Sequence, residues 1–245
     1  MKISGNTILI TGGATGIGFA LADVFSEAGN EVIICGRRLE KLDQAKRRLP
    51  RVKAIQCDIS DAKDRSALFN WTVKNFPTLN ILVNNAGIQR QIDFRKGTKP
   101  LSGGEDEIET NFRAPVHLAA LFIPHLKKQQ EAAIVNISSG LAFIPLAAVP
   151  VYCATKAAIH SFSLSLRHQL RETSIKVFES FRLSSILNCA RAKENRGDRR
   201  TGASSQKKWP CPPWTPWRRM ITSLRSGGSN RSAREPAPTR TGFSG

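Results

Sequence analysis

Long hydrophobic runs are missing from this chain. The opening Met1-Lys2-Ile3-Ser4-Gly5-Asn6 leads only into Ile8-Leu9-Ile10. That is too brief for a secretion-signal core and far short of the roughly 20 apolar residues of a membrane-spanning helix. A soluble, unsecreted protein of the reducing cytoplasm is expected, with no membrane partner. Cysteine is sparse as well: Cys35, Cys57, Cys153, Cys189 and Cys211 form no Cys-x-x-Cys pair and no ligand-like cluster with the four histidines. A disulfide framework and a zinc site are therefore not expected, and no metal is assigned. Acidic residues are few, 19 against 37 Lys and Arg, for a formal charge of +18. The imbalance is concentrated at one end: Phe181 to Gly245 holds 14 basic and 3 acidic residues, a net +11 against +7 for everything before it. That stretch has no valine, six prolines and three of the four tryptophans (Trp209, Trp214, Trp217), a composition poorly suited to building a core.

A chain of 245 residues can bury one sizeable core. The expected organisation is a domain over residues 1–180 followed by a basic, irregular or disordered tail over 181–245. Within the first part, short β-branched runs alternate with longer amphipathic stretches, the signature of βαβ units and a parallel sheet. The spacing predicts strands at Thr7–Thr11, Glu31–Cys35, Val52–Gln56, Ile81–Asn84, Ala133–Ile137 and Ile175–Phe178. Helices are predicted near Gly16–Ala28, Leu39–Arg48, Ala62–Asn75, Glu105–Gln130 and Val151–Arg171. The polar, glycine-punctuated segment Gln89–Gly104 reads as a loop.

The first strand runs into Thr11-Gly12-Gly13-Ala14-Thr15-Gly16-Ile17-Gly18 and then a helix. In that setting glycines let the backbone approach a dinucleotide pyrophosphate, whose charge sits at the helix N-terminus. Taken alone the same residues make a tight strand-to-helix turn. Asp58-Ile59 after the third strand and Asn84-Asn85-Ala86-Gly87 after the fourth are, by themselves, a helix cap and a turn. The chain's single tyrosine, Tyr152, stands thirteen positions after Ser139 of Asn136-Ile137-Ser138-Ser139. Lys156 follows one helical turn later, so phenol and ammonium can face one pocket. A free phenol titrates near pH 10, and a neighbouring cation favours the phenolate and brings proton exchange toward neutrality.

Glycine motif, Asn-Asn-Ala-Gly, Ser139 and Tyr152-Cys153-Ala154-Thr155-Lys156 in this order resemble the classical short-chain dehydrogenases/reductases over residues 1 to about 179. The resemblance implies an α/β fold, a three-layer Rossmann-type doubly wound parallel sheet. It also implies a nicotinamide-dependent oxidoreductase moving a hydride between cofactor and a carbonyl or alcohol carbon. Tyr152 would be the general acid or base, Lys156 would lower its pKa and hold the nicotinamide ribose, and Ser139 would polarise the carbonyl. Asn111, twenty-four residues after Gly87, would help hold a proton-relay water. Cofactor contacts would come from Gly12, Ala14, Thr15, Gly16, Ile17, Gly18, Asp58, Ile59, Asn85, Ala86, Gly87, Tyr152 and Lys156. At the end of the second strand, NAD-preferring relatives place an acid, whereas this chain has Arg37 and Arg38. Two guanidiniums suit a 2′-phosphate, so NADP(H) is expected over NAD(H), although a basic helix start in solvent gives the same pattern. His117, His125, His160 and His168 match no catalytic position, and Trp71 reads as core. The opening and Ile88-Gln89-Arg90 are similar to bacterial short-chain oxidoreductases linked to D-alanine-transfer operons, which implies no substrate. Relatives are usually dimers or tetramers joined through the two long helices, so a homo-oligomer acting on a small carbonyl or alcohol is expected.

After Phe178 the likeness stops. Where the family has a proline-containing turn and a threonine, this chain has Ser180-Phe181-Arg182-Leu183-Ser184-Ser185-Ile186, and the last strand and substrate lid are missing or replaced by the tail. A reading-frame shift near Glu179 and Ser180 accounts for the tail. In the shifted frame Pro210-Cys211, Pro213-Trp214 and Pro216-Trp217 must each give Leu, Met or Val, Trp209-Pro210 must give Ala, and Trp214-Thr215 must give Asp. Apolar residues then recur every third position, a helical pattern inside a Pro/Trp-rich stretch. The same shift allows Ser180 through Cys189 to read Ile-Pro-Pro-Leu-Val-Asp-Thr-Glu-Leu. Two other functions stay open: a cofactor-binding protein without turnover, and nucleic-acid binding through the basic, Trp-bearing tail.

Overall fold

The computed structural model describes residues 2–182; the basic tail, with its frame-shift and nucleic-acid readings, lies outside the described residues. Six strands and five helices alternate along the described chain. They are β1 (Thr7–Thr11), α1 (Gly16–Glu27), β2 (Glu31–Gly36), α2 (Leu39–Arg48), β3 (Lys53–Gln56) and α3 (Ala62–Asn75), followed by β4 (Leu79–Asn84), α4 (Ala114–Leu126), β5 (Ala132–Ser139), α5 (Pro150–Gln169) and β6 (Ile175–Arg182). All neighbouring strands pair in parallel, in the order β3-β2-β1-β4-β5-β6. The chain winds outward from β1 in one direction and from β4 in the other. The order therefore reverses between them, and a crevice opens at their carboxyl ends.

Strand periodicity builds the layers. Ile8, Ile10, Val32, Ile34 and Val83 face Leu21, Ala22 and Phe25 of α1 and Leu42 and Ala45 of α2. Alternate residues Leu9, Ile33, Leu82 and Ile134 face Leu68 of α3, Leu118 and Phe122 of α4, and Leu166 of α5. Both faces are covered, which is why these strands read as continuous apolar runs. The Asp61 side chain caps α3, accepting from Lys63 N and Asp64 N, and Lys46, Arg47 and Arg48 sit in the last turn of α2, where cations oppose the helix dipole. Trp71 packs on the second cluster and tilts against Phe76, 5.5 Å between ring centroids, as expected of a core residue.

Two elements depart most from expectation. The helix expected over Glu105–Gln130 is regular only over Ala114–Leu126 and is preceded by a π-turn at Glu109–Arg113. Asp106 caps this segment, accepting from Ile108 N and Glu109 N at 2.8 and 3.1 Å. Pro115 explains the wide turn. It has no N–H for the carbonyl of Asn111, which its ring would crowd in a regular helix, and Ala114 N–H reaches back five residues to Glu109 instead. Strand β6 also runs four residues beyond the expected Phe178.

Candidate active site

A cleft of about 300 Å³ lies at the crevice, lined by Gly12, Ala14, Thr15, Gly16 and Ile17 from the β1–α1 turn, with Arg37, Arg38, Ile59, Asn85, Ala86 and Gly87 around it. The glycines do different work. Gly12 has φ +64°, and a Cβ there would meet Ala86 Cα at 2.8 Å; at Gly18 it would meet the Gly12 carbonyl oxygen at 2.3 Å. Gly18 thus lets α1 pack onto the turn and is not itself a lining residue. Gly16, φ +57°, has nothing within 4 Å of its missing Cβ and presents bare backbone to the cleft. Thr15, the N-cap of α1, makes no side-chain cap bond, so the first amides of that helix keep their capacity for an anion. The turn is tied to β4 by Thr11 Oγ1, which accepts from the Asn85 and Ala86 amides at 3.0 and 3.1 Å. Asn85 Nδ2 in return donates to the Thr11 and Gly12 carbonyls.

Of the remaining residues expected at a cofactor, Asp58 falls between the lining residues Cys57 and Ile59 but is not one itself. Its Oδ1 accepts from the Ser60 amide and hydroxyl, so it holds a turn. Lys41, one turn into α2 from Arg37, joins the lining, as does Thr110. Neither was expected; spacing of i, i+4 from Arg37 was the available signal for Lys41.

The second half of the site is assembled on α5 and the end of β5. Lys156 is buried and donates from Nζ to the Ile137 carbonyl at 2.9 Å. Burial lowers its ammonium pKa from the ordinary 10.5 to about 8. Nζ lies 5.6 Å from the centroid of the Tyr152 ring, and a Cβ at Gly87 would sit 3.6 Å from Nζ and 3.3 Å from Asn111 Oδ1. Tyrosine, lysine and asparagine therefore share one corner, against the glycine-lined cleft. Asn111 sits in the π-turn with both ends of its amide anchored: Oδ1 accepts from Ile88 N, and Nδ2 donates to Ile88 O and Thr155 Oγ1. Ser139 ends β5, buried, its Oγ accepting from Leu141 N at 3.2 Å. Leu141 in turn belongs to the small apolar cluster against which Tyr152 packs.

Sequence reasoning missed the polar struts behind this corner. Arg65 of α3 is buried and donates to His117 Nδ1 at 2.9 Å, to the Ile59 carbonyl, and to Glu109 Oε1 at 2.8 Å. One guanidinium thus joins the cleft floor to the π-turn that carries Asn111. All four histidines have structural partners: His117 Arg65, His125 the Leu79 carbonyl, His160 Glu179, and His168 Arg171. Cys35, Cys57 and Cys153 are free thiols, and among the described residues no group of side chains could hold a metal ion and no helix is long and apolar enough to cross a membrane.

Residues 6–180 match the family model described as short chain dehydrogenase. An uncharacterized oxidoreductase of Bacillus subtilis, DltE, is 63% identical over 179 residues, 73% of this chain and 71% of that protein. Among solved structures, a metagenomic short-chain oxidoreductase in complex with NADP is 26% identical with a TM-score of 0.65, covering 73% of this chain and 82% of that one. L-sorbose reductase from Gluconobacter frateurii, complexed with NADPH and L-sorbose, is 28% identical with a TM-score of 0.64, covering 71% and 68%.

Proposed function

The chain belongs to the short chain dehydrogenase family of oxidoreductases, and from that premise we propose that it uses NADP(H) to interconvert a small carbonyl compound and its alcohol. The observation that carries the proposal is the convergence of Lys156 Nζ and Asn111 Oδ1 on Gly87, which lines the same cleft as the bare backbone of Gly16. A nicotinamide dinucleotide fits these residues. Its pyrophosphate would meet the N-terminus of α1, and its ribose phosphate would meet Arg37, Arg38 and Lys41, which offer charge-assisted donors. When bound, that cofactor supplies or accepts the hydride.

The chain's own residues handle the proton. Tyr152 gives its phenolic proton to the substrate oxygen in the reductive direction and takes it back in the oxidative one. The Lys156 ammonium favours the phenolate, because a positive charge beside the phenol lowers the cost of its deprotonation. Ser139 Oγ accepts from Leu141 N, which leaves its O–H to donate to the same substrate oxygen as charge develops there. Asn111, held by Ile88 and Thr155, fixes the π-turn beside Lys156. The apolar surface formed by Phe94, Ile108, Phe112, Pro150, Val151 and Ala154 at the start of α5 supports a homo-oligomer.

The test is NADPH oxidation over a panel of aldehydes and ketones, comparing the chain with Tyr152→Phe. Loss of a proton donor lowers turnover by about 10²- to 10⁴-fold, with NADPH binding retained; equal rates would remove Tyr152 from the mechanism. The cleft is lined entirely by residues between Gly12 and Thr110, so binding without turnover by the native chain would favour a cofactor-binding protein that has lost catalysis. The family match ends at residue 180, which supports the domain boundary there and the frame-shift reading of the tail; sequencing the locus and weighing the intact product decide it.

A further inference from the structure

The mouth of the cleft holds an ion pair that the mechanism above does not use. Arg37 Nη2 lies 2.6 Å from Glu105 Oε1, with 40% and 46% of the two side chains exposed. Glu105 arrives from the loop ahead of the π-turn and is held there by a built support. Arg90 donates to the carbonyls of Pro100, Gly103 and Glu105 at 3.0, 2.9 and 3.2 Å. Its own amide is taken by the buried Glu107 carboxylate at 2.9 Å. Gly103 and Gly104 adopt φ +80° and +79°, and a Cβ on Gly104 would meet the Arg90 guanidinium at 3.1 to 3.4 Å. The backbone on both sides of Glu105 is therefore fixed, by Arg90 before it and by the Asp106 cap after it.

We infer that Glu105 sets the choice between a phosphorylated and an unphosphorylated adenosine ribose, by occupying Arg37 and placing a negative charge beside the position a 2′-phosphate takes. The inference rests on reading Arg37 and Arg38 as the ribose end of a dinucleotide cleft. A 2′-phosphate has to break the Arg37–Glu105 pair and lie against a carboxylate. A ribose with free hydroxyls meets neither obstacle. The sequence at the end of β2 has no acid, yet the fold brings one to that place from another part of the chain. The outcome is a modest preference for NADPH in place of the strict one that two arginines alone would give.

The experiment titrates the full chain, Glu105→Gln, Arg37→Gln and the double variant with NADPH and with NADH, following the fluorescence of the reduced nicotinamide. Glu105→Gln is expected to tighten NADPH roughly threefold to tenfold, the range for losing one partly exposed ion pair and one like-charge contact, with NADH unchanged within about twofold. In the Arg37→Gln background the part of the gain that came from the ion pair is lost and only the like-charge part remains, and higher ionic strength shrinks the gain further. An unchanged NADPH affinity in Glu105→Gln, or equal shifts for both cofactors, overturns the inference while leaving the cleft assignment standing. A native chain that binds neither dinucleotide overturns the cleft assignment itself.

Discussion

Replacing Lys156 by methionine separates the cost of burying a charge from its use. Lys156 as a whole is 5% exposed, and burial alone lowers its pKa from 10.5 to about 8. That difference corresponds to about 3 kcal/mol of native-state cost at neutral pH. Methionine fills similar space without charge and removes this cost, but it gives up the bond to the Ile137 carbonyl, which offsets the gain by about 1 kcal/mol. Lys156→Met is therefore expected to be about 2 kcal/mol more stable at pH 7, while turnover falls at least about 100-fold. The sign with pH follows from the depressed lysine. Below pH 8 the native and unfolded chains are both protonated and the full cost is present. Between about 8 and 10.5 the unfolded chain binds more protons, so stability of the native protein climbs. Urea midpoints measured from pH 7 to 10.5 should show the wild type rising toward a flatter Lys156→Met curve. Over the same range, carbonyl reduction should decline above pH 8 as the ammonium is lost. A variant less stable than wild type at pH 7, or two midpoint curves running parallel through that range, would refute the burial argument.

Substitutions at Arg65 and at three glycines probe the scaffold. Arg65→Leu removes the donor to His117 and to the Ile59 carbonyl and leaves Glu109 with Arg113 alone, 3.2 Å away, and should cost about 2 kcal/mol in urea unfolding, since two buried acceptors lose their partner; a loss under about 0.5 kcal/mol would show that the strut is dispensable. Arg65→Lys should recover only part of it, because a single ammonium cannot reproduce the planar fork. Gly13→Ala and Gly18→Ala place a Cβ 2.4 Å from Ile34 Cγ2 and 2.3 Å from the Gly12 carbonyl oxygen. Both should lose about 1–3 kcal/mol and weaken NADPH binding. Gly5→Ala, at φ +74° with nothing within 4 Å, should cost only about 1–2 kcal/mol from its backbone and leave binding intact, and a matching loss of binding there would discredit the packing explanation.

Local rules carried most of the fold. The bounds expected for β1, α2 and α3 coincide with those observed, because strand-to-turn-to-helix punctuation is written in adjacent residues: Gly12 and Gly16 in one turn, Asp61 before α3, Pro150 at the head of α5. The π-turn escaped, although Pro115 marked the place. A proline near a helix start is compatible with a regular first turn, and only the helical residues before it, beginning after the Asp106 cap, force the wider one. Strand β6 outran its apolar pattern because Glu179 is accommodated by His160 at 2.8 Å, a partner on α5 that no periodicity announces.

The site divides along the same line. In a doubly wound parallel sheet, every loop that follows a strand's carboxyl end opens on one edge, so motifs that are separate in sequence converge without long-range information. Gly12 to Ile17 after β1, Arg37 and Arg38 after β2 and Asn85 to Gly87 after β4, which lie around one cleft, could all be read that way. What tunes them could not. Arg65 meets Glu109 and Arg37 meets Glu105 across 44 and 68 positions, pairings fixed by how α3 and the Gln89–Gly104 loop lie on the sheet. A charge pattern read along the chain favours a phosphate at Arg37 and Arg38 over solvent, but the carboxylate that bears on that choice lies on another element. On the inference drawn for Glu105, cofactor preference in this cleft is set by the tertiary structure, whereas the glycine turn is written in eight consecutive residues. A substitution in the Glu105 loop is then expected to shift preference while every motif residue stays the same.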